Sequence, residues 1–207
     1  MVDYSKELRE GIVYIFTNKN NAGNGVVVGN KLLTVAHVVT HSDNFSIDRN
    51  NSLLSKSAIC FRETNYWYKS FFCRLSLLRY GWNYDDFALY EVNGYQSPFT
   101  LSPNLPLVDD ILETYSLKEE VVRQSNNIFY NESHIVVHKD YARVLYIRGN
   151  FIFCEMNGML EKGRSGCPLI KGNEVYGILR GGDDKKICWF QSTVSILKRL
   201  HGQGVSI

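Results

Sequence analysis

Proline is scarce: four residues in 207, and three of them, Pro98, Pro103 and Pro106, fall in one short stretch. Proline removes ladder donors and resists both helix and central strand. Its rarity elsewhere leaves long stretches open to regular pairing, and its cluster marks 93–108 as a linker. No apolar run approaches the ~18–20 residues that a membrane span needs, so no membrane contact is expected. The first ten residues carry charges throughout and have no apolar h-region, which predicts no secretory signal. An excess of charge is also missing. The formal net charge is +2, and nucleic acid or an acidic lipid surface is not expected as a partner. The five cysteines, Cys60, Cys73, Cys154, Cys167 and Cys188, are odd in number and contain no CxxC pair. That argues against a disulfide framework and against a zinc site. The simplest reading is reduced thiols in a reducing, cytoplasmic compartment, most of them acting as small core residues. No cofactor and no metal is expected, and nothing in the composition fixes an oligomeric state.

What is present is β-structure. Gly11–Thr17 is β-branched and aromatic, 18–25 reads as a turn cluster, and Val26–Gly29 and Leu32–Val35 read as short strands. Short strands at this spacing indicate an antiparallel sandwich or barrel rather than βαβ units. A polar loop is expected over 42–56. Further strands are expected at 57–62, 66–75 and 87–92. The aromatic run Tyr66–Phe72 suits core and cross-strand packing. Beyond the linker, strands are expected near 111–117, 120–125, 133–138, 143–148, 151–156, 167–170, 174–180 and 186–192. Thr193–His201 reads as a short amphipathic helix ended by Gly202. The domain reading is therefore a first β lobe over 1–92, the linker 93–108, and a second β lobe over 109–207.

Three local patterns carry chemistry. Gly163-Arg164-Ser165-Gly166-Cys167-Pro168 sets a serine between two glycines, which lets the backbone turn sharply and keeps side-chain bulk away from the serine oxygen. The same turn can aim the N–H groups of Gly163 and Ser165 at one point, as an oxyanion requires. Taken alone, this hexapeptide also suits an ordinary turn between strands. The second pattern is His37 in Thr34-Val35-Ala36-His37-Val38-Val39, directly after a strand. The third is Asp85-Asp86-Phe87-Ala88-Leu89. A serine hydroxyl needs a base, histidine titrates near neutral pH, and a carboxylate fixes the histidine tautomer and stabilises its cation. The order His, Asp, Ser is that of the chymotrypsin-type triad.

These blocks together resemble the chymotrypsin/trypsin-fold serine proteases, in particular HtrA-like and viral 3C-like members. Gly25–Gly29 followed by Leu32–Val39 is similar to their first-barrel pattern. Asp86-Phe87-Ala88-Leu89 resembles their Asp-hydrophobic-Ala-hydrophobic block, which favours Asp86 over Asp85. Gly163-x-Ser165-Gly166-x-Pro168 matches their nucleophile block. The resemblance implies an all-β fold of two antiparallel six-stranded barrels with a short C-terminal helix and a cleft between the barrels. It implies that Ser165 attacks a scissile carbonyl, His37 acts as base then acid, and Asp86 orients His37. Gly163 and Ser165 would supply the oxyanion hole, and the strand at Arg180, Gly181 and Gly182 would pair with extended substrate. Met159 and Leu160 would floor the primary pocket, with Leu179 and Cys188 on its walls.

Departures from the family pattern shape the expectations. Val38 replaces the cysteine that secreted digestive members carry after the histidine. Arg164 replaces the aspartate that receives a newly cleaved N-terminus. Leu179 stands where Gln/Glu-selective viral relatives carry a histidine, so a hydrophobic or medium-sized P1 side chain is expected, although Asp183 and Asp184 nearby offer attraction for a basic one. Cys167 reads as packing rather than as nucleophile. His41, His134 and His138 read as loop or surface residues, and Trp189 and Phe190 as core. Lys162 and Arg164 either touch substrate or lie on a solvated loop. Two function classes follow. One is a serine endopeptidase acting on a protein or peptide, in a cellular regulatory or viral polyprotein-processing role. The other is an inactive protease-fold module that binds peptides or partner proteins.

Overall fold

The computed structural model describes residues 11–17, 22–39, 45–47, 52–54, 59–62, 82, 84–92, 97–123, 131–157, 162–183, 186–205 and 207. β1 (Ile12–Thr17), β2 (Ala22–Val28) and β3 (Lys31–Thr34) form an antiparallel meander. Val26, Val27, Leu32 and Leu33 are fully buried in it. A run apolar on both sides of the strand suits a sheet covered on both faces, so burial is continuous rather than alternating. One helical turn, α1 (Ala36–Val39), follows β3. β4 (Phe45–Ile47), β5 (Ser52–Leu54), β6 (Ile59–Arg62) and β7 (Asp86–Glu91) complete a seven-stranded sheet in the order β5-β4-β1-β2-β3-β7-β6.

Two expectations for this half are corrected. The polar segment 42–56 is not only loop: β4 pairs with β1 and β5, with Phe45 opposite Leu54. The ladder is made by backbone N–H and C=O groups that every such residue carries, so polarity did not exclude them. Residues 22–25 belong to β2 rather than to a turn, with Tyr14 opposite Asn24. Their glycines mark close approach instead: a Cβ on Gly23 would stand 2.7 Å from the Val38 side chain. The expected strand at 66–75 and its aromatic run lie outside the described residues.

The second half begins with β8 (Thr100–Leu101), which follows the buried Phe99 and pairs in parallel with Glu174 and Val175. β9 (Ile111–Arg123), β10 (Asn131–Arg148), β11 (Phe151–Met156), β12 (Pro168–Lys171), β13 (Glu174–Gly182) and β14 (Ile187–Ser192) follow. Their order is β12-β9-β10-β11-β14-β13, and β12 pairs again with β13, which closes a six-stranded antiparallel barrel. The four strands expected over 111–148 are two long ones. Asn131 through Arg143 pair without interruption with Arg123 through Ile111. The charged run Lys118-Glu119-Glu120 contains no glycine or proline to end a ladder. Of the two barrels expected, the second is closed. Among the described residues no ladder joins the outer strands β5 and β6 of the first sheet.

α2 (Thr193–His201) spans the residues expected of it. Ser192 caps it by accepting the Ser195 N–H at 3.2 Å, and the Gly202 N–H returns to Lys198 O at 3.1 Å. Lys198, Arg199 and His201 sit in its last turn, where the helix dipole favours cations. Among the described residues no helix is long and apolar enough to cross a membrane. One apolar core runs through both sheets, joining Val13, Val27 and Leu33 to Tyr115, Leu117, Ile170 and Ile178, with Ile196 and Leu200 of α2. A second core, including Leu112, Ile152, Leu169 and Phe190, fills the closed barrel.

Candidate active site

The ladder between β3 and β7 sets Thr34 opposite Ala88. The end of β3 therefore lies beside the start of β7, and α1 lifts His37 over Asp86. Two contacts lock them: the His37 backbone N–H donates to Asp86 Oδ1 at 3.0 Å, and the ring lies 2.8 Å from Oδ2 through Nδ1. Asp86 is fully buried. Burial pushes its carboxyl up, but the hydrogen bond from the His37 ring, the Arg180 and His37 charges and the His37 backbone bond outweigh it and hold the carboxyl below its ordinary value. An ionised carboxylate only accepts, so the proton on this bond belongs to Nδ1 and the neutral ring offers Nε2 as an acceptor. Ser165 Oγ lies 3.0 Å from Nε2. A hydroxyl, a base and an orienting carboxylate thus form one continuous chain, the arrangement that deprotonates an alcohol for nucleophilic attack.

The two neighbouring aspartates face different partners. Asp85 accepts from Gln191 Nε2 at 2.9 Å and from Asn150 Nδ2 at 3.1 Å, with Arg199 3.5 Å away. Gln191 also accepts the Asp86 N–H at 2.8 Å. Residues of the second barrel therefore fix the strand start that presents Asp86.

The turn bearing Ser165 is held by the strands behind it. Gly166 N–H donates to Leu179 O and Leu179 N–H to Cys167 O, both at 2.8 Å, and Cys167 N–H closes the turn on Arg164 O at 3.0 Å. Gly166 has φ +89° and a Cβ there would lie 1.9 Å from Asn24 O. Both the left-handed conformation and the close approach demand glycine. Gly163 has φ +94°. Among the described residues no acceptor takes the Gly163 or Ser165 N–H.

Three side-chain roles at the site were not legible in the sequence. Asn24, fully buried on β2, donates its N–H to Ser165 O at 2.7 Å and its Nδ2 to Gly163 O at 2.8 Å, and its Oδ1 accepts the Leu117 N–H at 2.6 Å. The signal available was a polar residue between two glycines at the mouth of an apolar strand. The Arg180 guanidinium forms an ion pair with Asp86, whereas only the Arg180 backbone had been singled out. Arg164 pairs with Asp140 of β10 at 2.5 Å and its side chain is 15% exposed, so it does not lie on a solvated loop.

Of the residues expected at a primary pocket, Leu179 and Cys188 are buried, 2% and 0% exposed, in the core of the closed barrel. Gly181 and Gly182 pair with Trp189 and Cys188 of β14. The β12 ladder ends at Ile178, so among the described residues the other edge of Arg180–Gly182 is open. Met159, Leu160, Asp184 and His41 lie outside the described residues, as does the side chain of His134. Asp183 accepts the Ile187 N–H at 2.9 Å and so caps its own turn. Cys167 is 1% exposed and burial pushes its thiol up, which makes it a poor nucleophile. Cys154, Cys167 and Cys188 are free thiols. Phe190 is in the barrel core, and Trp189 packs edge-on against Trp82 at 5.6 Å between ring centroids.

No protein-family model and no curated protein matches the chain. Solved structures do. Neuropsin, a serine protease expressed in the limbic system of mouse brain, superposes with a TM-score of 0.66 at 14% identity, covering 97% of this chain and 97% of that one. The inactive form of the Rv3671c protease of M. tuberculosis gives 0.61 at 16% identity, with 95% and 90% covered. A human pathogenic astrovirus serine protease gives 0.53 at 16% identity, with 88% and 89% covered. At these identities the likeness establishes the fold, that of the trypsin/chymotrypsin-type serine proteases.

Proposed function

We propose that this chain is a serine endopeptidase working through an acyl-enzyme. The observation that carries the reading is the unbroken chain from Ser165 Oγ to His37 Nε2 at 3.0 Å and from His37 Nδ1 to Asp86 at 2.8 Å. In this mechanism His37 takes the Ser165 proton as Oγ attacks the substrate carbonyl. The Gly163 and Ser165 N–H groups receive the oxyanion, and His37 returns its proton to the leaving amine. Water then repeats the sequence on the ester. Asp86 holds the ring in its tautomer and stabilises the cation. The open edge at Arg180–Gly182 receives the extended substrate as an added strand.

The lobes framing the cleft are residues 1–92 and 109–207, joined by 93–108, with the first sheet forming the first barrel. A hydrophobic or medium-sized P1 residue is the reading favoured by the engagement of Asp183 in its own turn, which leaves that carboxylate poorly placed to attract a basic side chain. Peptide-library profiling measures this preference, and a dominant glutamine or arginine preference would overturn it. The same reaction serves regulatory cleavage in a cell or processing of a viral polyprotein. A fluorophosphonate probe is expected to label the wild type and to leave Ser165→Ala unlabelled. A folded, unlabelled wild type would replace this reading with that of a peptide-binding module.

A further inference from the structure

Among the described residues, the turn that presents the oxyanion donors has open space beside Gly163. A Cβ at Gly163 would meet no described atom within 4 Å. Beside Gly163 and Arg164 lies a cavity of about 90 Å³, walled by Tyr14, Ser116 and His138 among others. A glycine with open space around it crosses easily between φ and ψ regions. Polar contacts therefore matter for holding the peptide that follows Gly163.

Those contacts come from two directions. From the first sheet, Asn24 bonds the carbonyls of Gly163 and Ser165 at 2.8 and 2.7 Å. From the closed barrel, Asp140 of β10 takes the guanidinium of Arg164, the residue between Gly163 and Ser165, at 2.5 Å. The two side chains are only 15% and 20% exposed. A pair this sheltered is screened less than a surface pair, and removal of one partner leaves the other poorly solvated. The β10 ladder does not itself require an acid at this position, since the register partner of Asp140 is Thr114.

We propose that Arg164 and Asp140 are a positioning pair that holds the Gly163–Gly166 turn in its oxyanion-binding conformation. The pair acts through the turn and touches no substrate. The proposal rests on the endopeptidase reading for its catalytic consequence, but the effect on the turn can be read without activity.

The test uses the full chain as wild type, Asp140→Asn, Arg164→Gln, and the reversed double variant Arg164→Asp with Asp140→Arg. Amide hydrogen exchange over 162–167 is expected to quicken by about tenfold or more in each single variant, with β11 and β14 unchanged. The reversed pair should recover much of the protection. Turnover of a peptide substrate should fall by roughly 10- to 100-fold in kcat, the scale of a misplaced donor, with KM within about twofold. Unchanged exchange at 162–167 in both single variants would overturn the proposal. So would exchange that quickens equally across the barrel, because the pair would then be a general stabiliser. If the wild type shows no turnover but the turn loosens as described, the positioning claim stands and the endopeptidase reading fails.

Discussion

Asp86 does two things that Asp85 does not: it accepts both the backbone and the ring N–H of His37, and it faces the Arg180 cation. The expected outcome is that Asp86→Asn lowers kcat by on the order of 10⁴, because the ring loses the partner that fixes its tautomer. Asp85→Asn should leave kcat within about tenfold, and steady-state kinetics on both variants separates the two carboxylates. The same residue sets a pH dependence. Its folded value is depressed, so its stabilising contribution is complete above the ordinary carboxylate range near pH ~4. That contribution is lost as pH falls through the lower folded value. The gap in urea midpoint between wild type and Asp86→Asn should therefore be largest near neutrality and shrink below pH ~4, where protonated Asp86 resembles asparagine. A gap that stays constant down to pH ~2 would assign the titration to another group. At this scale the sequence was informative where chemistry sits in a local frame. His37, Asp86 and Ser165 each stand in a short block of their own. Asn24, Arg180, Asp140 and Gln191 have no such frame, because their partners lie far along the chain.

The elements show the same division. β11, β13, β14 and α2 lie close to where alternation, turns, amphipathic spacing and the terminating Gly202 predict them, since each is bounded by its own local signals. β9 and β10 are longer than predicted because a ladder continues as long as its partner does, whatever the charge of the intervening residues. The strap between β2 and the Gly163–Gly166 turn is an element-level device with a sharp steric test. Gly166→Ala would place a methyl 1.9 Å from Asn24 O at φ +89°. The combined overpacking and backbone strain should cost about 2–4 kcal/mol and abolish fluorophosphonate labelling. Thermal unfolding and labelling measured together check it. A variant with wild-type stability and labelling would show that the strap yields without consequence.

For the whole molecule, what matters is that the two sheets share a core and a polar seam. The continuous cluster from Val13 to Leu200 crosses from one sheet to the other. Gln191, fully buried, bonds Asp86 N–H and the Asp85 carboxylate from the far side. Both features couple the lobes, so tryptophan fluorescence and far-UV circular dichroism should report one coincident unfolding transition. Gln191→Leu leaves the buried Asp86 N–H without its acceptor and should lower stability by about 1–3 kcal/mol while the transition stays single. Two separated transitions in the wild type would show that the lobes unfold independently. The sequence by itself determined an all-β chain, its short C-terminal helix and the three residue blocks, because periodicity, turn chemistry and flanking glycines are properties of neighbouring residues. Only the tertiary structure decided that the second sheet closes on itself, that Arg164 turns to Asp140, and that Asn24 ties one sheet to the turn of the other. Each of those depends on which distant backbone groups meet, and a linear pattern carries no record of such meetings.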